Sequence, residues 1–164
     1  MWYVIQTITG KEEELARAAG AYLSPELCED CFTVKRKLIK RLGGEWVAVM
    51  ETLFPSYLFL ETKNPEQLFY ELKKIPEYTR LLGDNEGSFI PLEAEEKDFL
   101  MKICRREGRD MVADLTDLYL DQNGEIQRAE GPLQFFLDKI VKLNLRKRFA
   151  VAELTIAGRK QTAV

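Results

Sequence analysis

The stretch Leu53-Phe54-Pro55-Ser56-Tyr57-Leu58-Phe59-Leu60 decides how this chain is read. Pro55 cannot donate to a strand ladder, so the apolar strand that follows has to begin beyond it, at a corner. Phe54 and Tyr57 flank that corner with large aromatic surfaces, which serve either a core or an interface. From the residues alone, filling the domain's own core is the plainer use of Tyr3, Phe54 and Tyr57. Towards the N-terminus, Trp2–Ile8 is rich in β-forming residues and reads as a buried strand. Thr9-Gly10-Lys11-Glu12 follows. Thr9 as cap and Glu12 three residues later predict a capping box opening a helix with Leu15, Ala18, Ala19 and Tyr22 on its inner face, ended by Ser24-Pro25.

Other segments alternate in the same way. Phe32–Ile39 and Trp46–Thr52 predict a hairpin turning at Gly43-Gly44. Its first arm and tip carry Lys35, Arg36, Lys37, Lys40 and Arg41. A solvated edge that discourages strand addition and a set of nucleic-acid contacts are both open readings of these cations. Asn64-Pro65 starts a second helix, with Leu68, Phe69, Leu72 and Ile75 inward and Pro76 as its stop. Short strands at Tyr78–Leu82 and Ser88–Ile90 flank the turn Asp84–Gly87. A third helix spans 93–107, with Phe99, Leu100, Ile103 and Cys104 facing inward and Gly108 closing it. Strands and helices alternating around one antiparallel-rich sheet give an α/β sandwich over 1–107. Residues 108–123 mix acidic and polar residues with scattered leucines and read as a linker. Strand candidates Glu125–Ala129, Lys139–Leu145, Phe149–Ile156 and Arg159–Val164, with turns at Gly131-Pro132 and Ala157-Gly158, predict a small all-β barrel over 124–164.

Composition excludes several classes. The chain has 164 residues and no histidine, so neither a Ser-His-Asp nor a Cys-His catalytic arrangement exists. Gly10-Lys11 lacks the glycine-rich lead of a phosphate-binding loop. Cys28 and Cys31 have C-x-x-C spacing, but Cys104 is the only other cysteine, too few for a tetrahedral zinc set without histidine. No catalytic residues, metal or cofactor are expected. No apolar run reaches membrane-spanning length, and the N-terminus lacks a secretory pattern, so a cytoplasmic protein is expected. Charge is uneven. Residues 122–164 hold eight lysines and arginines against four carboxylates, a balance of +4, which leaves −7 on residues 1–121 of a chain whose total is −3. An acidic body with a basic tail predicts a protein partner for the first and nucleic acid for the second.

The Trp2-Tyr3 opening, the Gly10-Lys11-Glu12 helix start and the Phe54-Pro55-Ser56-Tyr57 corner resemble the N-terminal (NGN) domain of the NusG family, whose members ride on RNA polymerase. Gly131-Pro132, Lys139-Ile140-Val141 and Ala157-Gly158-Arg159 resemble the family's KOW domain, with Asp138 where a glycine is usual and without the family's final strand. The resemblance implies that Tyr3, Phe54, Pro55 and Tyr57 meet the clamp helices of the polymerase largest subunit. Ser56 replaces the corner glycine of the general factors, as in operon-restricted paralogues. With a basic tail besides, the chain is most similar to the LoaP group of paralogues, which pair this plan with recognition of a structured leader RNA. Seven cations, Lys139, Lys142, Arg146, Lys147, Arg148, Arg159 and Lys160, are the RNA-binding candidates, on turns expected to converge with Phe149 into one positive surface. The expectation is a monomeric, non-enzymatic elongation and antitermination factor recruited by a leader hairpin, with non-template DNA as a further contact. The alternatives are a general NusG coupling transcription to translation or Rho, and a KOW-containing RNA-binding ribosome assembly protein.

Overall fold

The computed structural model describes residues 1–75 and 89–163. In chain order the elements are β1 (Trp2–Gln6), α1 (Glu12–Tyr22), β2 (Asp30–Phe32), β3 (Val34–Leu42), β4 (Glu45–Thr52), β5 (Tyr57–Glu61), α2 (Pro65–Leu72), β6 (Phe89–Pro91), α3 (Ala94–Ile103), β7 (Cys104–Glu107) and β8 (Asp110–Ala113). Then come β9 (Asp117–Leu120), β10 (Ile126–Glu130), two 3-10 turns, β11 (Ile140–Asn144), β12 (Phe149–Ile156) and β13 (Arg159–Ala163). The expected strand Tyr78–Leu82, the turn Asp84–Gly87, Pro76 as a helix stop and the start of the strand at Ser88 lie outside the described residues.

The central sheet runs β2-β5-β1-β6, antiparallel throughout. It is buried on both faces, which is why β1 and β5 read as continuous apolar runs. One face presents Ile5, Leu58 and Leu60 to Leu15 and Ala19 of α1 and Leu68 and Leu72 of α2. The other presents Trp2, Val4, Tyr57 and Phe59, packed with Phe32, Phe54 and Leu100. Trp2 meets Phe32 edge-on at 4.9 Å, and Phe32 stacks on Phe59 at 5.6 Å. Asn64 caps α2 as expected, accepting from the Gln67 N–H at 3.3 Å.

The hairpin β3–β4 does not join this sheet. It belongs to a second one, ordered β4-β3-β8-β7, so the body has two sheets where one was expected. The chain changes sheets at Thr33, which is buried and held by Asp110. The Asp110 Oδ1 atom accepts from the Thr33 N–H (3.0 Å) and hydroxyl (2.9 Å), and the Met111 N–H donates to the Thr33 carbonyl (3.1 Å). Satisfied this way, Thr33 drops out of the strand ladder, and one predicted strand becomes two.

Three further expectations are corrected. The helix predicted over 93–107 ends at Ile103, because Cys104 already has extended backbone (φ −117°, ψ 154°) and starts β7. Gly108, at φ +62°, therefore turns a β7–β8 hairpin and does not stop a helix. The segment 108–123 is not plain linker: β8 pairs in parallel with β3, with Met111, Val112 and Ala113 buried, and β9 pairs with β10. The capping box at Thr9 and Glu12 does not form; Lys11 is the cap position, without a side-chain bond, because the Glu12 carboxylate is used elsewhere.

The C-terminal strands form a β9–β10 ribbon and a β11-β12-β13 sheet. Phe136, Ala152, Leu154, Ile156, Ala157 and Ala163 share one apolar cluster with Trp2, Val4 and Tyr57. Phe99 and Phe136 meet edge-on across this seam at 5.7 Å.

Asp110 also pairs with Lys35 at 2.8 Å. Burial pushes its carboxyl upward, but the bonds from Lys35 and Thr33 outweigh it and hold the group below the ordinary carboxylate value. A lowered folded-state value makes this contribution complete above about pH 4 and lost as pH falls through the lowered value. Asp110→Asn, which keeps an acceptor for Thr33 and loses the charge, should cost about 1 kcal/mol at neutral pH. Urea unfolding as a function of pH should show the difference shrinking as both proteins enter the acid range.

Candidate functional site

The corner and the helix start form one constellation. Ser56 sits at φ +71°, a left-handed conformation that favours glycine. Three contacts hold it there. Its N–H donates to Glu12 Oε1 at 2.6 Å, its carbonyl accepts from the Thr7 N–H at 2.8 Å, and its hydroxyl bonds the Thr9 hydroxyl at 2.5 Å. Glu12 is itself only 4% exposed. The Thr9–Glu12 motif thus serves as a clamp on the corner.

The corner aims Phe54 and Tyr57 inward, where they are 1% and 2% exposed, while Pro55 faces solvent. Tyr3 does not share their face. Strand alternation pairs it with Leu60, beside Ile5 and Leu58 on the α1–α2 side, whereas Tyr57 and Phe59 stand opposite Gln6 and Val4. The residues that share the Tyr57 face are Trp2, Val4 and Phe59; counting by twos along the strand reaches Phe59, and only the register of β1 against β5 adds Trp2 and Val4.

The C-terminal half covers that face. Gln161 Nε2 donates to the Tyr57 hydroxyl (2.7 Å), Arg159 to Gln6 Oε1 (2.9 Å), and the Gly158 N–H to Glu96 Oε1 (3.2 Å). Packing across the seam is incomplete: a cavity of about 490 Å³ is lined by Leu38, Leu53, Leu133, Phe136, Leu143 and Phe149, among others.

Most hairpin cations are neutralised. Lys35 pairs with Glu13 and Asp110, Lys37 with Glu107 and Asp114, and both Arg36 and Lys40 with Glu51. Arg41, at the tip, donates to the Gly44 carbonyl and has no carboxylate partner among the described residues. Carboxylates contributed by other elements were invisible to a reading of the hairpin alone.

The seven C-terminal cations do not converge. The β11–β12 turn and the Ala157-Gly158 turn lie at opposite ends of β12, about 23 Å apart at the usual strand rise. Lys139 sits over the Phe99 ring, Arg159 reaches Gln6, and Lys160 lies 3.9 Å from Glu153. Lys142, Arg146, Lys147 and Arg148 gather around the β11–β12 turn, with no carboxylate partner among the described residues. Arg148 stacks over the ring of Trp46 on β4 at 4.6 Å, so this turn meets the hairpin.

The thiols are protonated at neutral pH. Burial pushes Cys28 up to about 11, Cys104 up to about 12 and Cys31 higher. Among the described residues no group of three or more cysteine or carboxylate ligands converges, and no helix is long and apolar enough to cross a membrane.

An α/β domain with a clamped aromatic corner, followed by a small β unit, defines a two-part protein of the α/β-plus-β class. The family model for NusG, the transcription termination factor nusG, matches residues 1–101, and the chain belongs to the NusG family. It is 23% identical to the transcription termination/antitermination protein NusG of Helicobacter pylori J99, over 96% of this chain and 90% of that one. Against the protein of the same name from Escherichia coli K12 the identity is 22%, over 96% and 88%. A solved structure described as domain interaction in Thermotoga maritima NusG aligns over 99% of this chain and 90% of that one, at 17% identity and a TM-score of 0.49. The protein is accordingly a transcription factor of that family and not an enzyme.

Removing the buried acceptor of the Ser56 N–H by Glu12→Ala should destabilise the fold by about 1–3 kcal/mol. Ser56→Gly relieves the backbone and should be tolerated within about 1 kcal/mol, whereas Ser56→Val adds a β-branched side chain at positive φ and should cost more. Denaturant midpoints of the three variants check the order.

Proposed function

We propose that this chain is a processive transcription elongation and antitermination factor that works as a cytoplasmic monomer. It binds the clamp helices of the RNA polymerase largest subunit through the face built by Phe54, Pro55 and Tyr57. A bound factor that bridges the clamp favours the closed, elongating state and suppresses pausing and termination. The observation carrying this reading is the corner. Ser56 is kept in a strained conformation by three dedicated contacts, and its aromatics line an apolar face covered by the C-terminal half and not by the domain's own helices α1 and α2. Tyr3, on the opposite face, supports the sheet from behind.

In this reading the polymerase and the C-terminal half compete for one surface. The 490 Å³ cavity in the seam means contacts forgone there, which lowers the cost of parting. The β11–β12 turn, exposed while the halves are together, offers Lys142, Arg146, Lys147 and Arg148 to a structured leader RNA. Phosphate neutralisation supplies affinity and hairpin shape supplies selectivity, restricting recruitment to particular operons. Lys139, Arg159 and Lys160 lie away from that turn and are not part of this surface.

Capture on immobilised RNA polymerase, with and without leader hairpins selected from a pool, tests the proposal. Gln161→Ala removes a contact across the seam and should raise polymerase capture by about 5-fold; unchanged or weaker capture would count against competition for one face. Lys142→Ala with Arg146→Ala should weaken hairpin binding and reduce the log–log salt slope by roughly one to two. Polymerase capture without hairpin preference indicates a general NusG, and hairpin binding without polymerase capture a ribosome assembly protein.

A further inference from the structure

Trp46 is the feature that the proposed function leaves unused. It is 40% exposed on β4, near the hairpin tip, and Arg41 is its cross-strand partner, on the same face. Arg148 reaches it from the other half of the molecule and lays its guanidinium 4.6 Å from the ring centroid. Arg148 takes φ +57°, a conformation that a bulky side chain adopts at a cost and that glycine or asparagine would adopt more readily. Arginine at such a position, aimed at an exposed indole, points to use beyond closing the turn. Arg146 and Lys147 precede it and are exposed. One cation thus lies over an accessible aromatic ring, a second is its cross-strand partner and two more precede Arg148 at the turn, with no carboxylate partner among the described residues.

We infer that Trp46 and Arg148 form a stacking seat for an unpaired RNA base, with Arg41, Arg146 and Lys147 on the flanking phosphates. This rests on the reading that the β11–β12 turn meets leader RNA, and it names what that turn recognises: a loop or flanking nucleotide and not the stem. A base inserts its π-face against the indole and guanidinium, while the cations follow the backbone on either side. An A-form stem cannot present a base face in this way, because its bases are stacked on one another. Because the seat has one wall on each half of the protein, a base held there also bridges the hairpin and the β11–β12 turn.

The competing account is that Arg148 on Trp46 only fastens the two halves together. Fluorescence separates the two. The chain has two tryptophans, and the other, Trp2, is 6% exposed in the core. Full-length protein is titrated with oligouridine and with a selected leader hairpin, at about 0.15 M salt. The seat predicts saturable quenching of tryptophan emission by both ligands, absent in Trp46→Phe, which keeps a stacking ring and most of the affinity. Trp46→Ala should weaken oligouridine binding by roughly 5- to 100-fold. The urea midpoints of both variants show whether the fold is intact. Hairpin binding that does not quench and is equally tight in Trp46→Ala overturns the seat while leaving RNA recruitment standing. Absence of all RNA binding overturns both. Equal quenching and affinity with oligodeoxythymidine overturns the assignment to RNA.

Discussion

Two strands with apolar residues on both faces set the terms for the whole molecule. β1 and β5 lie at the centre of a sheet whose two sides must both be kept from water. Helices α1 and α2 cover one side with leucine and alanine. On the other side α3 covers only part of the sheet, and the strands β12 and β13 with Phe136 cover the remainder. The C-terminal half is therefore part of the core that the N-terminal half requires, yet it meets that core across an incompletely filled seam. Each buried methylene contributes about 0.8 kcal/mol, so a cover of this kind is firm, while any competing apolar partner can replace it on similar terms.

Polar contacts place that cover and the corner beneath it. Glu12 is buried, and it is directed at the one backbone N–H that a serine in a glycine-favouring conformation leaves pointing inward. Asp110 plays the corresponding part where the chain leaves the first sheet for the second. Each carboxylate satisfies a group that would be costly to leave unpaired, and each thereby fixes a change of chain direction. Local hydrogen-bond satisfaction decides where strands stop, and the apolar clusters decide what lies against them.

Charge is sorted by the same packing. Cations on β3 run beside acidic groups from α1, β4, β7 and the segment around Asp114, which neutralise most of them. Cations around the β11–β12 turn meet no such partners among the described residues, and one of them is stacked on the exposed Trp46. The positive surface that remains is smaller than the count of basic residues implies, and it is shared between the halves.

The sequence by itself determined the strands around the corner, the capped start of α2, the β-rich C-terminal half and the absence of histidine chemistry. These follow from local signals: a proline before an apolar run, Asn-Pro at a helix start, period-two alternation and composition. It did not determine that Tyr3 and Tyr57 lie on opposite faces, since that depends on the register between two strands distant in sequence. Nor did it show that Cys104 leaves the helix for a strand, that the presumed linker holds β8, or that the carboxylate of Glu12 is taken by Ser56. Pairing partners from elsewhere in the chain override local propensity in each case. Only the tertiary structure decided which cations are already neutralised and that the aromatic corner lies beneath the C-terminal half, because both are relations between surfaces that no segment contains alone.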